Sequence, residues 1–136
     1  MRATAAGLVV ALMSGACGGD GGGEAIDVAD RWLRAIGERD AEGACRLMRP
    51  SAVSAIRQKF TGLPETADCP LVVRAYADEF SQRGVDAVRK DGLEVAGPIK
   101  DDEIGVFPAA PAFEFQVVLM RRAKGKWRVA STSIAP

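Results

Sequence analysis

The chain has 136 residues, room for one ordinary domain of about 100 to 150 residues and a short appendage. Eighteen basic residues balance eighteen acidic ones with no long run of either sign, which argues against nucleic acid as a partner and against a polybasic membrane patch. Histidine is absent and cysteines number three, so a His-based catalytic triad and a tetrahedral Cys/His zinc site are both excluded, and no cofactor or metal is implied.

The chain opens on Met1-Arg2, a positive start, followed by the apolar run Ala3 to Met13 and the small residues Ser14, Gly15 and Ala16. That is the layout of a secretory signal peptide over 1–16. The run is too short for a spanning helix, which needs about 20 residues. A cysteine follows at once, then "GGDGGG" over Gly18 to Gly23. Cleavage before Cys17 resembles the bacterial lipoprotein signal, in which the cysteine is lipidated and begins the mature chain. This sequence has Ser14 where that signal usually has Leu, so an unlipidated secreted product, cut at the same site, stays open as the alternative. Residues 17–24 then form a flexible Gly-rich tether spanning roughly 15 Å on average. It holds the domain at the outer face of the cell membrane.

From Ala25 to Gly37 the apolar residues Ile26, Ala29, Trp32, Leu33 and Ile36 recur at helical spacing, with Gly37 as the stop. Asp40 is placed to cap a second short helix running through Met48, and "RPS" at Arg49 to Ser51 breaks it. A third helical segment covers Ala52 to Phe60. Thr61 to Pro70 reads as loop. A fourth helix starts at Asp68 or Cys69, carries Val72, Val73, Tyr76 and Phe80 on one stripe, and stops at Gly84.

From Val85 the pattern changes to short β-rich runs, with strands expected over Gly92 to Ile99, Glu103 to Ala109, Ala112 to Arg122 and Lys126 to Ile134. Phe113, Phe115, Val117 and Leu119 alternate with Glu114, Gln116 and Val118, as on a half-buried strand. "RAKGKW" is a tight turn with Gly125 available for positive φ, joining the last two strands as a hairpin.

Helices followed by antiparallel strands indicate an α+β domain over 25–136, the N-terminal helices packed on a curved antiparallel sheet. "ADRWLRAIGERDAEGACRLM" (Ala29 to Met48) resembles the helix, acidic turn and second helix that open nuclear transport factor 2-like domains, and "GKWRVAS" (Gly125 to Ser131) resembles their closing strand. The resemblance covers nearly all of the mature chain and implies a cone-shaped cavity between sheet and helices. Its expected lining is Trp32, Tyr76, Phe80, Phe113, Phe115 and Trp127. In an oxidising compartment Cys45 and Cys69 can pair in a disulfide, leaving Cys17 over for acylation; two free thiols are the reading for a reducing compartment.

Relatives with this cone include isomerases and dehydratases, so the chemistry of the residues decides. An isomerase needs a carboxylate base facing an oxyanion hole built from a tyrosine and a protonated acid. Tyr76 is the only tyrosine, and it shares a core stripe; Asp78 and Glu79 sit on the opposite, solvated side of that helix, Glu114 alternates away from the Phe face, and Asp30 has Arg31 and Arg34 as neighbours. Ser51, Ser54, Ser131 and Ser133 lack a G-x-S-x-G context and any His partner. The "DDE" of Asp101 to Glu103 reads as a solvated turn without calcium-loop spacing. No catalytic residue is assigned. The expectation is a non-enzymatic, membrane-anchored lipoprotein of the bacterial cell envelope that binds a small apolar ligand or a protein partner, with homodimerisation through the sheet as one form of the latter. A cavity enzyme of the isomerase/dehydratase type is the competing class.

Overall fold

A computed structural model describes residues 22–80, 82–90, 92–100, 102–109 and 118–133. The leader, Cys17, the first residues of the tether, and Phe113, Glu114 and Phe115 lie outside the described residues.

Five helices precede four strands: α1 (Gly22–Glu38), α2 (Ala41–Arg46), α3 (Pro50–Gln58), α4 (Cys69–Asp78), α5 (Gln82–Arg89), β1 (Leu93–Lys100), β2 (Glu103–Pro108), β3 (Val118–Ala123) and β4 (Lys126–Thr132). The strands form an antiparallel sheet in the order β1-β2-β3-β4, and the α+β class is as the element pattern implies.

Helix α1 buries Ala25, Val28, Ala29, Trp32, Leu33, Ala35 and Ile36, the stripe that a 3.6-residue period places on one side. It begins at Gly22, inside the stretch read as tether, and passes through Gly37 to end one residue later. Its stop is a Schellman turn on a non-glycine: Arg39 sits at φ 60°, its N–H donates to Ile36 O at 3.2 Å, and the Asp40 N–H donates to Ala35 O at 2.9 Å. Asp40 then caps α2, its carboxylate accepting from the Gly43 N–H at 2.9 Å. A Cβ on Gly43 would fall 2.1 Å from that carboxylate, so glycine is what lets the cap close.

Pro50 does not merely break the preceding helix. It opens α3 from the first helical turn, where its missing N–H costs nothing. Asp68 caps α4 by accepting from Leu71 N at 3.1 Å. The segment between α3 and α4 is held by Arg57, which donates through Nε and Nη2 to Ala67 O at 3.2 and 2.7 Å. Cys45 of α2 and Cys69 of α4 form a disulfide, Cα atoms 6.0 Å apart, that encloses this whole segment.

The largest departure from the sequence expectation lies between Asp78 and Arg89. Instead of one helix ending at Gly84 and strand thereafter, α4 stops at Asp78 and a separate helix α5 contains Gly84 in its interior. Val85 and Val88, three apart, are both buried against the core, and Arg89 reaches α1. Gly84 costs about 1 kcal/mol relative to Ala inside a helix, and burial of the two valines, each worth about 1.5 to 3 kcal/mol, offsets it.

On the sheet, Ile104, Met120 and Val129 are neighbours across β2, β3 and β4, and Val106 pairs with Val118. All five are essentially inaccessible and join Trp32, Leu33, Ile36 and Ile56 in one core. The β3–β4 turn has two residues, Lys124 at φ 52° and Gly125 at φ 75°, the doubly positive arrangement of a type I′ hairpin.

Both sheet edges are obstructed. Strand β1 carries Pro98 and shifts register twice, on either side of it. The outer edge of β4 is strapped by the α2–α3 connection: Val129 N donates to Leu47 O at 2.7 Å and Arg49 N donates to Val129 O at 2.8 Å. Ser51 and Lys59 donate to the Ala130 and Thr132 carbonyls along the same strand. Ala130 is the extra residue of a bulge, since Met120 pairs with Val129 while Leu119 pairs with Ser131.

Candidate functional site

Four of the six expected cavity residues fall within the described structure, and three of them are in ring contact. Trp32 on α1 lies 6.1 Å from Tyr76 on α4, ring planes 29° apart, and Tyr76 meets Phe80 edge-on at 4.9 Å. These geometries are worth about 0.5 to 1.5 kcal/mol per pair beyond burial itself. Trp127 on β4 is also buried, and the Arg122 guanidinium sits 5.2 Å over its ring. Phe113 and Phe115 lie outside the described residues.

Three polar groups are set into this apolar wall. The Tyr76 hydroxyl is hydrogen-bonded to Thr132, and burial pushes its pKa up to about 12 with that contact partly offsetting the shift. The indole nitrogens of Trp32 and Trp127 are buried, the residues being 0% and 3% exposed, and neither Nε1–H has a hydrogen-bond partner among the described residues. A buried donor left unpaired costs about 1 to 3 kcal/mol. Among the described residues the only other buried side-chain donor without a partner is Arg121 Nε, and the two indoles lie on α1 and β4, which pack against each other.

The candidate acids do not converge on Tyr76. Asp30 accepts two hydrogen bonds from Arg89, Nε to Oδ1 at 2.7 Å and Nη2 to Oδ2 at 3.2 Å, and a longer one from Arg34 at 3.4 Å. This fork raises the Arg89 pKa, chiefly through the Asp30 hydrogen bonds, and fastens α5 to α1. Asp78 pairs with Arg39 at the surface, and Glu79 is exposed. Glu114 lies outside the described residues.

Glu103 corrects the reading of "DDE" as a solvated turn. It opens β2, is only 5% exposed, and pairs with Arg121, its cross-strand partner on β3. A run of three acids hides this, because the partner lies 18 positions away and becomes visible only with the strand register. Among the described residues no cluster of His, Cys, Asp and Glu is arranged to hold a metal, and no helix is long and apolar enough to cross a membrane.

Among the described residues, three surface grooves lie beside the helices. One of about 520 Å³ runs between α1, the end of α2 and the start of β4, with Glu24, Asp27, Arg31, Arg46, Lys126 and Arg128 along it. A second, about 260 Å³, shares Arg31 and Arg46 and continues toward Glu38 and Asp40. A third, about 300 Å³ and mainly apolar, borders the disulfide, between Cys45, Met48, Val53 and Cys69. None of the three is lined by Trp32, Tyr76, Phe80 or Trp127.

No known family model, curated protein or solved structure matches this chain. Its function must therefore be argued from its own residues.

Proposed function

We propose that the chain is an exported, lipid-anchored binding domain with the cone architecture of nuclear transport factor 2-like proteins, and that it holds a small apolar molecule without transforming it. The leader over 1–16, Cys17 and the order of helices before an antiparallel sheet support the anchor and the architecture. The observation that carries the binding reading is the pair of buried indole N–H groups of Trp32 and Trp127, which have no partner among the described residues. An occupant bearing one acceptor oxygen on an otherwise apolar frame would satisfy a donor and keep the remaining contacts dispersive.

Against the cavity-enzyme alternative stand the placements of the acids: Asp30 is engaged by Arg89 and Arg34, Asp78 by Arg39, and the Tyr76 hydroxyl by Thr132. A general base must lie within reach of the proton it removes, and none of these acids is poised beside the tyrosine.

Native mass spectrometry of the protein extracted from its own membrane tests both halves of the reading. An acylated N-terminal Cys17 supports the anchor, and a co-purifying neutral adduct that quenches indole fluorescence supports the ligand. A leader that remains attached, together with an adduct-free protein whose fluorescence no apolar ketone or ester perturbs, refutes them.

A further inference from the structure

The groove between α1, α2 and β4 holds charges of both signs that do not meet. Four cations, Arg31, Arg46, Lys126 and Arg128, come from three different elements, and Glu24 and Asp27 line the same concavity from the first two turns of α1. Neither Arg31, Arg46 and Lys126 nor the two carboxylates form any ion pair among the described residues. Arg128 spends one donor on the Trp127 carbonyl at 2.9 Å and keeps the rest of its guanidinium.

A simple anion in this groove would face Glu24 and Asp27, and a simple cation would face four basic side chains. A ligand with both signs answers both sets at once. The excess of cations calls for a group with more than one negative oxygen, and guanidinium forks are suited to phosphate. The carboxylates Glu24 and Asp27 call for a donor of several hydrogen bonds, which a primary ammonium provides and a quaternary one does not. We infer that this groove is a binding site for a phosphate ester carrying a primary ammonium group, the chemistry of phosphoethanolamine.

Two sources present that chemistry: a phosphatidylethanolamine headgroup and a free zwitterion. The lipid source rests on the anchor reading above, since Cys17 and Gly22 are five residues apart and an extended chain of that length spans no more than about 18 Å. That reach would keep the start of α1, and with it the groove, at the headgroup layer. The chemistry of the site does not depend on the anchor.

The test uses residues 17–136 with Cys17→Ser, so that neither leader nor acyl chain contributes; all described core residues lie between Ala25 and Ala130 and are retained. Calorimetric titration with O-phosphoethanolamine should show saturable binding about tenfold or more tighter than inorganic phosphate or ethanolamine alone, the two halves being joined in one ligand. Arg46→Gln should weaken both phosphoethanolamine and inorganic phosphate about fivefold, the upper range for an exposed ion pair. Asp27→Asn should weaken phosphoethanolamine by a similar factor and leave inorganic phosphate unweakened. Both side chains are exposed, so unchanged circular dichroism is expected of each variant.

Flotation with phosphatidylcholine vesicles, with and without phosphatidylethanolamine, separates the sources. Capture only with phosphatidylethanolamine, reversed by free phosphoethanolamine, supports the site with a lipid ligand, and titration without capture supports it with a diffusible one. Binding of the whole no tighter than its halves, or insensitive to both substitutions, overturns the inference. A mature Cys17 without acyl chains would refute the anchor and leave the groove standing.

Discussion

Above pH 10 an ordinary phenol ionises, and Tyr76 should not. Tyr76 is 3% exposed, stacked on Trp32 and edge-on to Phe80, and burial lifts its pKa from 10.0 to about 12. The folded state thus holds the proton more tightly than the unfolded chain does. The resulting stabilisation is complete below pH 10 and is lost as the pH rises through 12; two pKa units correspond to roughly 2.7 kcal/mol. That is a sizeable part of a net stability of about 5 to 15 kcal/mol. The measurement is unusually clean because the chain has a single tyrosine, so the phenolate absorbance band reports this residue alone. In concentrated urea the titration should be centred near 10, and in buffer near 12 with circular dichroism followed in parallel. Tyr76→Phe should remove the corresponding fall in urea midpoint over the same interval. Thr132→Val should move the native midpoint higher still, because the Thr132 contact is what lowers it. A native titration centred at 10 with circular dichroism intact would refute the burial argument.

Cutting the Cys45–Cys69 link by Cys→Ala at both positions should lower stability by about 3.4 kcal/mol, from loop-closure entropy over a sequence separation of 24. Urea unfolding with and without reductant checks this; coincident curves for the unaltered chain would contradict it. Lys124→Asn should raise stability by about 0.5 kcal/mol, since Lys124 holds positive φ in a type I′ turn where Asn is favoured, and a lowered thermal midpoint would count against that turn.

The cap of α2 could be read in advance because it is a local device, Asp40 standing three residues before the N–H from which it accepts, whereas Asp68 is legible only as one of two possible starts of α4. The disulfide is what cysteine parity implies once export is expected. Helix α5 escaped because Gly84, which ends a pattern in isolation, is outweighed by Val85 and Val88 once α1 is beside them. Glu103 and the charged groove escaped for a different reason. Arg31, Arg46 and Lys126 are unremarkable in their own segments, and only packing of α2 and the β3–β4 hairpin onto α1 gathers them. Burial of a charge and convergence of a site both depend on partners distant in sequence, which periodicity does not encode.

The strap of Leu47 and Arg49 along β4 should make the association of the chain depend on its redox state. The strap follows directly on α2, and α2 is a six-residue helix, too short to persist unaided, whose anchor to α4 is the disulfide at Cys45. Without the disulfide α2 keeps only its packing on α1 and α4, and any fraying would uncover the N–H and C=O of Val129 at the outer edge of β4. Such a row invites pairing with the same row of another molecule. Oxidation should therefore favour the solubility of the chain as well as its stability. A chain held reduced during refolding should form dimers and larger species joined through β4, while the oxidised chain at the same concentration refolds as single molecules.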